Sequence, residues 1–193
     1  QITEPSSKYL SLGWTSLTPS QESQITIRHQ LTMTTGLDDR VSNLDDTSAS
    51  SLQYLAKPGS RWSYHNAPYT LLEKVVESAT GQTFQSYFKS KIGDRIGMRG
   101  FWQQTGYNNV FYSDARSFAR FGLLLLSKGQ WGDSTIWEGD YFDRLCNTSQ
   151  KLNESYGYLT WLNGKSSYMV PGSQKVIQGS MIPSAPDDMY QAI

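Results

Sequence analysis

The sequence predicts an α+β fold, mainly helical over residues 1–150 and passing into short strands over residues 151–193. Two observations carry this. Apolar residues recur at helical spacing through the middle of the chain, each run closed by a glycine, as in Leu71, Leu72, Val75, Val76 and Ala79 before Gly81. The aromatic, β-prone run Tyr156-Gly157-Tyr158-Leu159-Thr160-Trp161-Leu162 comes only near the end. At 193 residues the chain has the length of one domain with a single main core.

Thr26 is placed to cap a short helix through Ile27, Leu31 and Met33, with Gly36 as its left-handed stop. A second short helix is expected around Ser48 to Ala56. Lys57-Pro58-Gly59 then reads as a turn, because proline presets φ and glycine accepts a positive one. Pro68 suits the first turn of the Leu71–Ala79 helix. Thr83 caps another through Phe84, Tyr87, Phe88 and Ile92, ending near Gly93. Ser113 heads a long helix in which Phe118, Phe121, Leu125 and Leu126 face inward, Lys128 complements its carboxyl end and Gly129 stops it. A further helix spans Gly139 to Asn147. Beyond it, strands flank a hairpin-type turn at Asn163-Gly164, with Ser167–Val170 on the far side. The tail, with Pro183 and Pro186, is expected to be a loop without a closing element.

Composition narrows the function classes. Lys plus Arg and Asp plus Glu both total 17, without a run of either sign, so charge does not recommend nucleic acid or an anionic surface as partner. Cys146 is the single cysteine, which excludes an internal disulfide and a cysteine-rich zinc site, and it is expected to be a small buried side chain. His29 and His65 lack the spacing of a metal-binding pair, so neither a metal nor another cofactor is expected. The longest strongly apolar run, Leu123 to Leu126, is far too short to span a membrane. Gln1-Ile2-Thr3-Glu4-Pro5 resembles no signal peptide, and the chain reads as processed or excised from something longer.

Several segments, taken in order, resemble one family. Ile25-Thr26-Ile27-Arg28-His29-Gln30-Leu31-Thr32-Met33-Thr34-Thr35-Gly36-Leu37 is similar to an "ITIRHLLTHTSGL" segment, and Pro58-Gly59-Ser60-Arg61-Trp62-Ser63-Tyr64-His65-Asn66 to a "PG-x-x-W-x-Y-x-N" loop. Ile96-Gly97-Met98 resembles "PLGM", Asp114 to Gly122 resembles "RDLARFG", and Tyr156-Gly157-Tyr158 with Trp161 resembles "YGYGWW". These are segments of the serine β-lactamase-related family, which groups class C β-lactamases, penicillin-binding proteins and DD-peptidases. The resemblance implies a β-lactamase/transpeptidase-like fold, of which this chain is mostly the helical lobe.

It also implies a chemistry. Members of the family attack an amide or ester carbonyl with the serine of a Ser-x-x-Lys motif, forming an acyl-enzyme. The tyrosine of Tyr-x-Asn, here Tyr64, assists proton transfer. A phenol with a pKa near about 10 acts as a base at neutrality only beside cations, so Tyr64 is expected to need lysines next to it. Asn66 would bind the substrate carbonyl or hold the motif lysine; as an asparagine before a proline-started helix it is also a good N-cap. For Tyr64 the plain alternative is an aromatic that anchors its loop. His65, in the variable middle position, is expected to pack or face solvent.

The remaining motifs are missing from the pattern. Ser86-Tyr87-Phe88-Lys89 is the one Ser-x-x-Lys, yet it follows Tyr64 where the family's nucleophile precedes it, so it reads as a decoy. Neither Lys-Thr-Gly nor Lys-Ser-Gly occurs. Tyr107-Asn108-Asn109 repeats Tyr-x-Asn in an ordinary loop setting, and Ser113-Asp114-Ala115 reads as a helix cap. Gly164-Lys165-Ser166 lacks the earlier glycine of a phosphate loop. The expectation is part of a serine hydrolase acting on a small-molecule or peptide amide or ester, inactive by itself and, by family habit, periplasmic or extracellular. The alternative is a non-catalytic protein of the same fold that binds a cell-wall fragment or partner, for which six Trp and twelve Tyr offer stacking surfaces.

Overall fold

A computed structural model describes residues 1–137 and 139–192. Internal contacts divide the chain into two units, one made of Gln1–Val75 with Arg144–Ile193 and the other of Val76–Asp143.

The first unit begins with short helices α1 (Ser7–Leu10), α2 (Pro19–Glu22) and α3 (Ile27–Leu31). Thr18 and Gln21 cap α2 reciprocally, and Thr26 and His29 do the same for α3, each pair satisfying two amides that the first helical turn leaves open. The α3 cap is the expected one. The helix nevertheless stops at Leu31, and Met33 lies beyond it at a φ of 57°. Gly36 has the expected left-handed φ, 77°, although the helix ends before it, and it also has a second constraint. A Cβ there would sit 2.1 Å from the Ala56 carbonyl oxygen, so glycine lets two stretches of backbone touch.

That contact also explains why no helix forms over 48–56. The Leu55 and Ala56 amides donate to the Gly36 carbonyl at 3.0 and 2.9 Å, and Asp38 N–H donates to the Gln53 carbonyl at 2.8 Å. Drawn into this pairing, the segment keeps only one 3₁₀ turn, Ala49–Ser51. The Lys57-Pro58-Gly59 turn forms as expected, with Gly59 at φ 83° and Ser60 N–H donating to the Lys57 carbonyl.

Helices α4 (Asn66–Thr70) and α5 (Leu72–Thr80) follow, with Pro68 in the first turn of α4 and Gly81 ending α5 at φ 67°. Trp14, Ile25, Leu37, Leu52, Ala67 and Leu71 form one buried cluster. Full burial of an aliphatic side chain such as Ile25 or Leu52 contributes about 1.5–3 kcal/mol each. Gln30, buried at 0 %, accepts the Ser6 hydroxyl and donates to the Pro68 carbonyl, both at 2.6 Å, so α4 is tied to α3 inside the core.

In the second unit Thr83 caps α6 (Phe84–Phe88), as expected, but the chain does not stop near Gly93. One π turn over Lys89–Gly93 carries it into α7 (Asp94–Ile96), which ends at Gly97 with φ 67°. Gly93 keeps helical angles there. Strands β1 (Gly100–Thr105) and β2 (Asn108–Ser113) form an antiparallel hairpin around Gly106, so Tyr107-Asn108-Asn109 lies in a strand hairpin instead of an ordinary loop.

Helix α8 (Ala115–Leu126) is capped by Asp114, whose carboxylate accepts the Ser117 amide at 2.8 Å, while the Ser113 hydroxyl turns to the Arg99 carbonyl. Its inward face is also not the expected one. Ser117 and Leu124, both at 0 %, point inward with Phe121, whereas Phe118 is 50 % and Leu126 75 % exposed. The buried Ser117 hydroxyl accepts the Arg99 amide at 3.0 Å, and that bond fixes the rotation of the helix. Gly129 stops it at φ 84°. The two-residue strands β3 (Gln130–Trp131) and β4 (Ser134–Thr135) pair, and α9 (Gly139–Leu145) lies within the span expected for it.

Back in the first unit, β5 (Thr160–Leu162), β6 (Ser167–Tyr168), β7 (Ile177–Gln178) and β8 (Tyr190–Ala192) complete the described strands. β5 pairs with β8 and β6 with β7, all antiparallel. Two expectations change here. Asn163-Gly164 does not join two paired neighbours, and the tail ends in a strand instead of a plain loop. Asn163 explains both: its side chain accepts from Ser180 Oγ at 2.7 Å and from Ile182 N–H at 2.9 Å, and donates to the Ile182 and Pro186 carbonyls at 3.0 Å. These bonds fold the 180–186 segment back over β5 and bring β8 alongside. Among the described residues no helix is long and apolar enough to cross a membrane.

Candidate active site

Tyr64-His65-Asn66 lies where an extended stretch turns into α4. Ser63 N–H donates to the Met33 carbonyl at 2.9 Å, and Ala67 N–H donates to the Leu44 carbonyl at 2.8 Å. With the Gln30 bond to Pro68, the three residues are held from both sides. The stretch has little room to move.

Tyr64 rests on an aromatic seat. Trp161 stacks on it with ring centroids 5.6 Å apart and planes 23° from parallel; Tyr156 meets it edge-on at 6.5 Å, and Trp62 lies at 6.4 Å. Trp62 and Tyr156, at 1 % and 0 % exposed, are the floor of this seat, with Met33 and Met169 packed around them. Tyr64 itself is half-buried. Burial raises its phenol above the usual range, and the Trp161 indole opposes this in part. Burial and the indole, not a cation of the described residues, account for that shift.

Asn66 is the first residue of α4, and His65 occupies the cap position without making a side-chain cap bond. Asn66 therefore does not serve as the N-cap. Its side-chain amide instead donates from Nδ2 to Asp45 Oδ1 at 2.8 Å. An ionised carboxylate only accepts, so the amide nitrogen must face Asp45 and Oδ1 must face away. Asp45 was missed in the sequence because nothing in a polar loop marks a partner lying 21 residues away.

His65 is 2 % exposed, and among the described residues neither ring nitrogen has a hydrogen-bond partner. Burial pushes its pKa below the usual value, while Asp39, Asp38 and Asp45 pull the other way. Of the two roles expected for it, the buried position leaves packing. Asp39 forms an ion pair with Arg61 at 2.7 Å in the same loop region.

The other candidates lie apart from this arrangement. Tyr107 sits on the β1–β2 turn, 43 % exposed. Ser86 is exposed on α6, where its hydroxyl accepts from Thr83 Oγ1 at 2.9 Å, and Lys89 is paired with Asp94 at 2.8 Å. Serine and lysine of this Ser-x-x-Lys are thus engaged with other partners. Cys146 is half-buried. Among the described residues no cluster of three or more His, Cys, Asp or Glu could hold a metal ion.

The short helices and short strands of this chain are those of a β-lactamase/transpeptidase-like fold, which solved structures share. A penicillin-binding protein from Bacillus halodurans matches over 88 % of this chain and 65 % of its own, with 21 % identity and a TM-score of 0.61. A D-stereospecific amidohydrolase from Streptomyces sp. matches over 89 % and 68 %, with 14 % identity and a TM-score of 0.62. An octameric penicillin-binding protein homologue from Pyrococcus abyssi matches over 82 % and 47 %, with 18 % identity and a TM-score of 0.59. At such identities the likeness shows the fold alone. The chain spans roughly half to two-thirds of the length of these proteins. No curated protein matches it. The family model described as Beta-lactamase matches residues 1–131, and the chain belongs to that family of β-lactamase-like hydrolases.

Proposed function

We propose that this chain forms part of a serine hydrolase that cleaves an amide, peptide or ester bond through an acyl-enzyme, with Tyr64 as its proton-transfer residue and Asn66 as a substrate-facing amide. In this reading a serine hydroxyl attacks the carbonyl carbon, the bond to the leaving nitrogen or oxygen breaks, and the serine proton passes by way of Tyr64 to the leaving group. Water then releases the acyl group.

The observation that carries the reading is the seat of Tyr64. Its phenol is half-buried on three other aromatic rings, beside an asparagine held by a carboxylate, in a chain of the β-lactamase family. With a raised pKa it is protonated near neutrality and ready to donate. A cation arriving beside it, as the lysine of a Ser-x-x-Lys would, makes it a base. Ser86 is not the nucleophile in this reading. The amidohydrolase among the structural neighbours supports an amide substrate, and the family resemblance supports a periplasmic or extracellular site of action, which cell fractionation tests.

Two measurements test the reading. A fluorophosphonate probe followed by mass spectrometry should leave Ser86 unlabelled. In the catalytically complete hydrolase, Tyr64→Phe should lower kcat by about 10²–10⁴-fold. Labelling at Ser86 overturns the assignment of the nucleophile. An unchanged kcat in Tyr64→Phe overturns the role of Tyr64, whereas no turnover of any amide or ester by the unaltered protein favours a non-catalytic binding protein of the same fold.

A further inference from the structure

We propose that Asn163-Gly164 is a site of spontaneous modification: Asn163 deamidates when the 180–186 segment lifts away, and the acid it becomes cannot seat that segment again. This chemistry is independent of the role of Tyr64.

The fold requires both residues. Asn163 is 4 % exposed. Its Oδ1 accepts from Ser180 Oγ at 2.7 Å and from Ile182 N–H at 2.9 Å. Its Nδ2 donates to the Ile182 and Pro186 carbonyls at 3.0 Å and reaches the Ala185 carbonyl at 3.4 Å. An acceptor at one end and two hydrogens at the other, on so short a stem, is what asparagine supplies. Gly164 is needed beside it, because its φ is 68° and a Cβ there would lie 2.4 Å from the Asp187 carbonyl oxygen. Asn-Gly occurs at this one place in the chain.

The pair that packing requires is also chemically labile. The Gly164 backbone nitrogen, having lost its proton to base, attacks Asn163 Cγ. The N–Cγ bond forms, the Cγ–Nδ2 bond breaks, and the amide nitrogen leaves as ammonia, closing a succinimide ring. Water then opens the ring at either carbonyl and gives aspartate or isoaspartate. Glycine favours the attack because it has no Cβ to hinder its nitrogen or to narrow its backbone angles. In the folded chain both reactants are restrained. The Gly164 N–H donates to Ser180 Oγ at 3.3 Å, and Nδ2 is tied to the carbonyls of 182 and 186. The reaction therefore waits on local opening of 180–186.

Neither product fits the old seat. A carboxylate at 163 still accepts from Ser180 and from Ile182 N–H, but it turns an oxygen toward the Ile182 and Pro186 carbonyls, acceptor against acceptor. Isoaspartate also adds a methylene to the main chain directly after β5. Either change loosens 180–186 and, beyond it, the pairing of Leu162 with Tyr190 and of Trp161 with Gln191. Each opening that reacts is thus not reversed.

The test ages the folded protein at mildly alkaline pH beside a sample in guanidinium chloride, and follows Asn163 by peptide mapping and mass spectrometry. Deamidation in denaturant should run at least about tenfold faster than in the folded protein. As the folded sample ages, thermolysin cleavage between Ser180 and Met181 should rise in step with the deamidated fraction. Asn163→Asp should be cleaved there from the outset.

Equal rates in the two samples would overturn the gating by 180–186, and absence of deamidation in denaturant would sink the site itself. Asn163→Asp as resistant to thermolysin as the unaltered protein would overturn the one-way step. Should Asn163→Asp fail to fold, the aged unaltered protein decides: cleavage confined to deamidated molecules supports the proposal, and cleavage spread equally over intact and deamidated molecules overturns it.

Discussion

The indole of Trp161 lies against the ring of Tyr64 with centroids 5.6 Å apart and planes 23° from parallel. Burial holds Tyr64, Tyr69 and Tyr156 all above the usual phenol range, Tyr156 the furthest. In a spectrophotometric titration the folded chain should therefore ionise fewer tyrosines near pH ~10–11 than the chain in denaturant. Because the folded pKa values are raised, their contribution to stability is full below the unfolded pKa of about 10 and is lost as pH climbs beyond it. Tyr64→Phe should remove one late-ionising phenol from the titration. An unchanged count would mean that Tyr64 titrates like a free tyrosine.

His65 gives the opposite sign. Its folded pKa lies below its unfolded one, so the stability it contributes is present above about pH 6.5 and falls as acid protonates the unfolded chain first. Melting temperature should drop between about pH 7 and pH 5, and His65→Gln should flatten the slope. His29, lowered by burial and by Arg28, should keep part of it. A slope that does not respond to His65→Gln would assign the acid sensitivity elsewhere.

Gly157 is constrained by packing. A Cβ at this position would lie 1.9 Å from the Leu145 carbonyl oxygen. Gly157→Ala must shift one of the two backbones and should cost about 3 kcal/mol, read as a lower denaturant midpoint. A shift below about 0.5 kcal/mol would show that these segments separate easily.

The orientation of α8 is tested by two leucines. Leu124, at 0 % exposure, should lose about 2–5 kcal/mol on substitution by alanine. Leu126, 75 % exposed, should change stability by less than about 0.5 kcal/mol. Equal losses in urea unfolding would mean that both faces of the helix are covered.

What was legible in the sequence followed local chemistry. The Thr26 and Thr83 caps, the Gly59 turn and the Gly81 stop each depend on atoms a few residues apart, and each is where the pattern put it. The contacts that decided the rest run across the chain. Gly36 meeting Ala56 cancelled the 48–56 helix, Ser117 meeting Arg99 turned α8, and Asn163 gathering 180–186 brought the tail strand beside β5. The site divides in the same way. Tyr64 and Asn66 stood out because turn, motif and helix are contiguous, whereas Asp45 and the face of Trp161 reach them only through folding.

The first unit is discontinuous in sequence, its two parts separated by residues 76–143. Its core is closed by bonds such as Leu159 N–H to the Leu31 carbonyl at 2.9 Å and Gln174 Nε2 to the Trp62 carbonyl at 2.9 Å. During synthesis Trp62 and Met33 must wait for Tyr156 and Met169 to leave the ribosome, while residues 76–143 can already assemble around Leu124. The order of emergence leaves the aromatic seat of Tyr64 open to chaperones until residues 144–193 have followed residues 76–143 out.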